Sequence, residues 1–129
     1  MEKRPFTILL AEDEAASRFL YLEELEEAGY RVLAVENGFQ VLGTLEDMKV
    51  DLLMTDIKMP DMHAMEMIPL VRAENPHLPI LVASAFKGME DDFALKGFDI
   101  SGFFVKPVQM EALKKKIKEI ANSFAATAA

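Results

Sequence analysis

Five short apolar runs, none longer than six residues, recur along the chain with helix-length amphipathic segments between them. That alternation restricts the fold more than any other feature of the sequence. The runs at 7–11 (TILLA), 31–35 (RVLAV), 50–55 (VDLLMT), 79–84 (PILVAS) and 102–105 (GFFV) read as strands β1 to β5. Their length and apolar content suit buried strands, and a proline such as Pro79 is tolerated at a strand's first residue. Between them, 15–28 (α1) places Phe19, Leu22, Leu25 and Ala28 at spacings of three and four among glutamates, and Gly29 stops it. The segment 38–48 (α2) carries Phe39, Val41, Leu42, Leu45 and Met48 as its apolar members. In 64–74 (α3) Pro69 predicts a bend or a late start, because a helix-interior proline costs about 3 kcal/mol. A shorter α4 is expected over 88–96, ending near Gly97. The last helix, 110–124 (α5), puts Met110, Leu113, Ile117, Ile120 and Phe124 on one face with lysines largely off it, and the tail AATAA is expected to fray.

Strands this apolar, separated by helices of ten or more residues, predict a parallel sheet covered on both faces. Right-handed crossovers then make it a doubly wound α/β sandwich. A chain of 129 residues accommodates one domain, 1–129, with its core over about 5–124. No apolar run approaches the ~20 residues that cross a bilayer, and MEKRPF followed by TILLA and acids makes a poor signal peptide. The absence of cysteine removes disulfide and thiolate chemistry and agrees with a cytoplasmic location. A net charge of −8 argues against a nucleic-acid backbone as partner and favours basic proteins or a bound cation.

In doubly wound sheets the active crevice lies beyond the carboxyl ends of the strands. Four of the five expected strands end in chemically useful residues: Glu12 and Asp13, Asp56, Ser84, and Lys106. The second ends in Glu36-Asn37-Gly38, which reads as a turn. Each residue has a plainer reading, as loop acid, turn residue, helix cap or surface lysine; their convergence on one rim favours the chemical one. Three carboxylates gathered there would repel one another. A hard divalent cation relieves that repulsion; oxygen-rich clusters suit magnesium, manganese or calcium, and a few carboxylates with open positions favour magnesium. Asp56 would act as a nucleophile toward a phosphoryl group, giving an acyl phosphate. The cation would cover one equatorial oxygen, Lys106 a second, and the Ser84 hydroxyl with backbone amides a third. Pro107 suits a rigid, cis-capable turn after Lys106, and Phe103 and Phe104 fall on opposite faces of their strand.

Those residues stand in LLAEDE (9–14), NG (37–38), DLLMTDIKMPDM (51–62), the serine-alanine of LVASA (81–85), the glycine of KGFD (96–99) and FFVKP (103–107). In these pieces, their order and their spacing, the chain resembles the receiver domain of two-component response regulators, the family typified by the bacterial chemotaxis response regulator. The resemblance implies a (βα)5, flavodoxin-like or CheY-like fold with strand order 2-1-3-4-5. It implies Asp56 as phosphoacceptor, with Glu12, Asp13, Asp56 and the backbone carbonyl of Lys58 as protein ligands of magnesium. Ser84 and Lys106 match the family's hydroxyl residue and lysine, and Ser84 with Phe103 the switch that remodels the α4-β5-α5 face. A histidine kinase or histidine phosphotransfer protein would supply the phosphoryl group, and a downstream protein would read that face. Catalysis would be confined to the domain's own phosphorylation and slow dephosphorylation, with neither direct nucleic-acid contact nor membrane insertion.

Several positions depart from the family pattern. His63-Ala64 replaces the usual small pair after the Pro-x-Met loop, so that loop is expected to differ in shape. Phe86 is large where it would shield the phosphoryl group from water, which predicts slow spontaneous loss. Phe103 has no hydroxyl, so its switching would rest on packing alone. Two rivals remain. An aspartate-nucleophile phosphatase needs an acid two residues after its nucleophile, where this chain has Lys58. A degenerate receiver would bind proteins without phosphorylation. A nucleotide-binding domain is weaker still, since AEDEAAS has no glycine-rich phosphate cradle. With an initiator methionine and no output domain after α5, a stand-alone regulator is expected in preference to an excised receiver.

Overall fold

The computed structural model describes residues 4–85 and 97–128. The expected α4 (88–96) and Phe86 lie outside the described residues. Within them the five strands are Thr7–Ala11 (β1), Arg31–Val35 (β2), Leu52–Asp56 (β3), Ile80–Ser84 (β4) and Gly102–Val105 (β5). They form a single parallel sheet in the order β2-β1-β3-β4-β5. The helices are Ala15–Glu27 (α1), Gly38–Asp47 (α2), Ala64–Glu74 (α3) and Met110–Ala128 (α5). This is the doubly wound sandwich that the alternation predicts.

Because strand side chains alternate between faces, the sheet divides the core in two. Leu9, Leu53, Ile80 and Val82 pack with Val41, Met67, Ile68 and Val71 of α2 and α3. Ile8, Leu10, Leu52, Met54 and Leu81 pack with Tyr21 and Leu25 of α1 and Leu113 and Ile117 of α5. Phe103 joins the first cluster and Phe104 the second, on the opposite faces that their spacing dictates.

Local chemistry sets the element ends. Gly29 closes α1 in a left-handed conformation (φ 101°), with its N–H donating to the Glu26 carbonyl at 3.0 Å and that of Tyr30 to Leu25 at 3.2 Å. These two bonds are those of a Schellman cap. Asn37 caps α2 by accepting the Gln40 N–H at 2.9 Å. β3 begins at Leu52 rather than at Val50, because Asp51 is buried and accepts hydrogen bonds from the Thr7 N–H (2.8 Å) and the Arg4 guanidinium. Pro79, lacking an N–H, contributes only its carbonyl, to the Leu53 N–H at 3.0 Å, and β4 starts one residue later.

α3 does not start late. It begins at Ala64, where the His63 ring nitrogen accepts the Met65 N–H at 3.1 Å and the Ala64 N–H donates to the Ile57 carbonyl at 3.0 Å. Pro69 is carried inside the helix at a partly exposed position. The tail also departs from expectation. α5 continues through Ala128, in keeping with the high helix propensity of alanine.

Candidate functional site

The sheet delivers the site by ending its strands at one rim. Glu12 follows β1 directly and its N–H still pairs with the Val35 carbonyl at 3.1 Å, so the residue is held as if the strand ran one position further. Its side chain is only 2% exposed. Oε2 accepts the Glu14 N–H at 3.1 Å, and Oε1 accepts from Lys106 Nζ at 2.6 Å. Asp56 closes β3; its Oδ1 accepts the Ile57 N–H at 2.7 Å and its Oδ2 accepts from the same Lys106 ammonium at 2.9 Å. Asp13, on the exposed side, brings a carboxylate oxygen into a group with Glu12 and Asp56 whose ligand atoms all lie within 4.8 Å of one another.

Lys106 arrives from the far edge of the sheet, 94 residues from Glu12 and 50 from Asp56. Its backbone N–H donates to the Ser84 carbonyl at 2.7 Å, and the Lys106–Pro107 bond is cis. Ser84 ends β4 fully buried, one strand away from Asp56. Phe103 stands three residues before Lys106, paired in register with Val82 and partly buried in the core rather than at the rim. Lys58 lies on the exposed loop after Asp56. Glu12, Asp13, Asp56 and Lys106 are thus assembled directly, while Ser84, Lys58 and Phe103 flank them.

Electrostatics reflects a crowded rim. Burial is the largest influence on Glu12 and pushes its carboxyl up; the Lys106 and Glu14 hydrogen bonds oppose this, Asp56 adds to it, and the carboxyl stays above its ordinary range. Burial works against the charged Lys106 amine, yet its hydrogen bonds to Glu12 and Asp56, with their charges, outweigh that and hold it above the usual lysine range. Three carboxylates against one ammonium leave the cluster two charges negative when all are ionised. All-oxygen donors with an uncompensated negative charge suit a hard divalent cation.

Two neighbours escaped the sequence reading. Tyr21 is buried beside the site and, with Leu20, Pro107 and Val108, lines a hollow of about 350 Å³ next to Lys106. Burial is the main reason its phenol is raised. Arg18 donates from Nη1 to the carbonyls of Glu12 (2.9 Å) and Asp13 (3.2 Å). Helical spacing marked both only as α1 residues, and carried no sign of what they touch.

The fold and the site together define a class of doubly wound α/β domain whose carboxyl rim gathers an acidic trio, able to coordinate a divalent cation, beside a lysine. Residues 8–118 match the response regulator receiver domain, and the chain belongs to that family. Among solved structures it is similar to the response regulator TrrA of Thermotoga maritima in complex with Mg2+-BeF, with 30% identity and a TM-score of 0.82 over 89% of this chain and 98% of that one. It is also similar to the chemotaxis response regulator CheY4 of Vibrio cholerae, with 25% identity and a TM-score of 0.82 over 91% and 99%. The transcriptional regulatory protein GlrR of Escherichia coli is 29% identical over 119 residues, which span 92% of this chain and 27% of that protein. The chain therefore spans about a quarter of GlrR. No helix among the described residues is long and apolar enough to cross a membrane.

Proposed function

We propose that the chain, as a single receiver over 1–129, accepts a phosphoryl group on Asp56 from a histidine kinase or histidine phosphotransfer protein, with magnesium held by Glu12, Asp13, Asp56 and the Lys58 carbonyl. The observation that carries this reading is the Lys106 ammonium bridging Glu12 and Asp56 within an acidic trio at one strand rim. Magnesium, or manganese in its place, would neutralise charge on the equatorial oxygens and orient the donor. An Asp56 carboxylate oxygen forms the new bond to phosphorus as the bond to the donor's imidazole nitrogen breaks, and the leaving imidazole takes a proton from solvent. Lys106 is placed to follow the incoming charge, since its ammonium already sits 2.9 Å from Asp56. The hollow lined by Leu20, Tyr21 and Val108 gives a protein donor an apolar landing beside that lysine.

In this reading Ser84 and Phe103 carry the switch. A phosphoryl group adds about −1.5 to −2 charge, enough to bias a two-state element of a few kcal/mol. Ser84 would move toward that charge and Phe103 would repack, altering the α4-β5-α5 face read by a downstream protein in the cytoplasm. Incubation with acetyl phosphate should add one phosphoryl group, ~80 Da by intact mass, only when magnesium and Asp56 are both present. Hydrogen exchange over 102–105 should change when a beryllofluoride mimic binds. An adduct that persists in Asp56→Ala, or exchange unmoved by the mimic, would refute the acceptor or the switch respectively. If neither acetyl phosphate nor the mimic engaged the protein, a phosphorylation-independent binding module would replace this reading.

A further inference from the structure

We infer that Arg18 is a positioning residue for the cation site, setting the aim of the Glu12 and Asp13 carboxylates through their backbone, with Glu36 as its anchor. The inference rests on the cation reading above.

The two acids stand where β1 has ended and α1 has not begun, so their carbonyls have left the sheet ladder. One nitrogen of Arg18 spans both, at 2.9 Å to Glu12 and 3.2 Å to Asp13. The other terminal nitrogen meets Glu36 Oε1 at 3.4 Å, beyond the end of β2. Glu36 is itself tied to α2, its N–H donating to the Gln40 side chain at 2.6 Å. A single planar guanidinium thus fastens the β1–α1 loop to the β2–α2 loop and fixes two successive peptide planes. The directions in which carboxylates 12 and 13 leave the backbone depend on those planes. A lysine, with one compact ammonium on a flexible stem, cannot hold this fork.

Positioning and simple charge make opposite predictions. Removing a positive charge near three carboxylates should, by Coulomb's law alone, raise affinity for any divalent cation. If Arg18 acts by fixing geometry, its loss should lower affinity. Groups that orient metal ligands from behind typically cost 10- to 100-fold in affinity when removed. The loss should also be selective, because magnesium demands near-octahedral geometry while calcium tolerates a looser shell.

The test is calorimetric titration of the full chain with Mg2+ and separately with Ca2+, using wild type, Asp13→Asn, Arg18→Ala, Arg18→Lys and Glu36→Gln. Arg18→Ala should bind Mg2+ about tenfold more weakly, with a smaller change for Ca2+, so that the Mg2+/Ca2+ preference falls. Arg18→Lys keeps the charge and should recover only part of the loss. Glu36→Gln should weaken Mg2+ binding by a smaller factor, about two- to threefold. Should Arg18→Ala fail to fold, Arg18→Lys, which keeps the charge and loses the fork, decides alone. Mg2+ binding by the Arg18 variants as tight as, or tighter than, wild type would overturn the inference while leaving the cation site intact, provided Asp13→Asn still loses it. A wild type that binds neither cation would overturn both.

Discussion

At the residue scale the site is a contest between desolvation and pairing, and Glu12 is where it is sharpest. The carboxylate is 2% exposed, yet Lys106 and the Glu14 N–H keep it from behaving as an isolated buried charge. Burial nonetheless prevails, and its pKa is raised from the ordinary 4.5. A carboxyl raised in the folded state keeps a proton that the unfolded chain has released, so stability falls as pH rises from 4.5 through the folded value. In metal-free buffer, the unfolding free energy of wild type relative to Glu12→Gln should therefore decline across that window. Urea denaturation at a series of pH values would measure it, and a difference that stays flat or grows would show that burial does not dominate Glu12. Glu12, Asp13, Asp56 and Lys106 were all legible in the sequence, because a charged residue ending an apolar run is conspicuous. Arg18 was not, since a cation one turn into a helix looks like any solvated position until its carbonyl partners are placed.

At the element scale, what the sequence concealed was the contacts that join elements and set their ends. Gly38 opens α2 where the sequence placed it, but its close approach to Met62 was hidden: an added Cβ would lie 2.9 Å from that side chain. The sequence placed α3 at 64–74, the span it occupies, but Pro69 does not delay its start and is carried inside the helix at a partly exposed position. Asp51 looked like a strand residue because it sits in VDLLMT; only the Arg4 and Thr7 contacts reveal it as the buried stop before β3. Arg72 is the clearest such case. From the last turn of α3 its guanidinium donates to the carbonyls of Asn75 (3.0 Å), Leu78 (2.7 Å), Phe98 (2.9 Å) and Asp99 (3.3 Å). It joins the α3–β4 loop to the segment that leads into β5. Arg72→Ala would strand several partly buried carbonyls, and we expect a loss of about 2 kcal/mol or more in urea unfolding. Arg72→Lys, which cannot fork among four acceptors, should restore less than half of it. A variant within about 0.5 kcal/mol of wild type would mean that water serves those carbonyls equally well.

For the molecule as a whole, the fold and its own chemistry pull against each other. The chain carries a net charge of −8 and concentrates part of it by collecting three carboxylates whose ligand oxygens lie within 4.8 Å of one another, with Lys106 as the ammonium bridging two of them. At that spacing each like-charged pair costs about 1 kcal/mol in water-like surroundings and more where burial lowers the dielectric. Asp13, the exposed member, can be neutralised without emptying the core. Without metal, Asp13→Asn should therefore be more stable than wild type, by about 1 kcal/mol. With magnesium the order should reverse. A cation that binds only the folded state stabilises it by about 2.7 kcal/mol at one hundred times its dissociation constant, and wild type should gain this while Asp13→Asn gains little. Denaturant midpoints for both proteins, in chelator and in excess magnesium, give the four numbers required. If the variant is the less stable without metal, Asp13 is a structural acid and the repulsion argument fails. If magnesium lifts both proteins equally, the cation is held elsewhere, and the rim's negative charge serves some purpose other than metal binding.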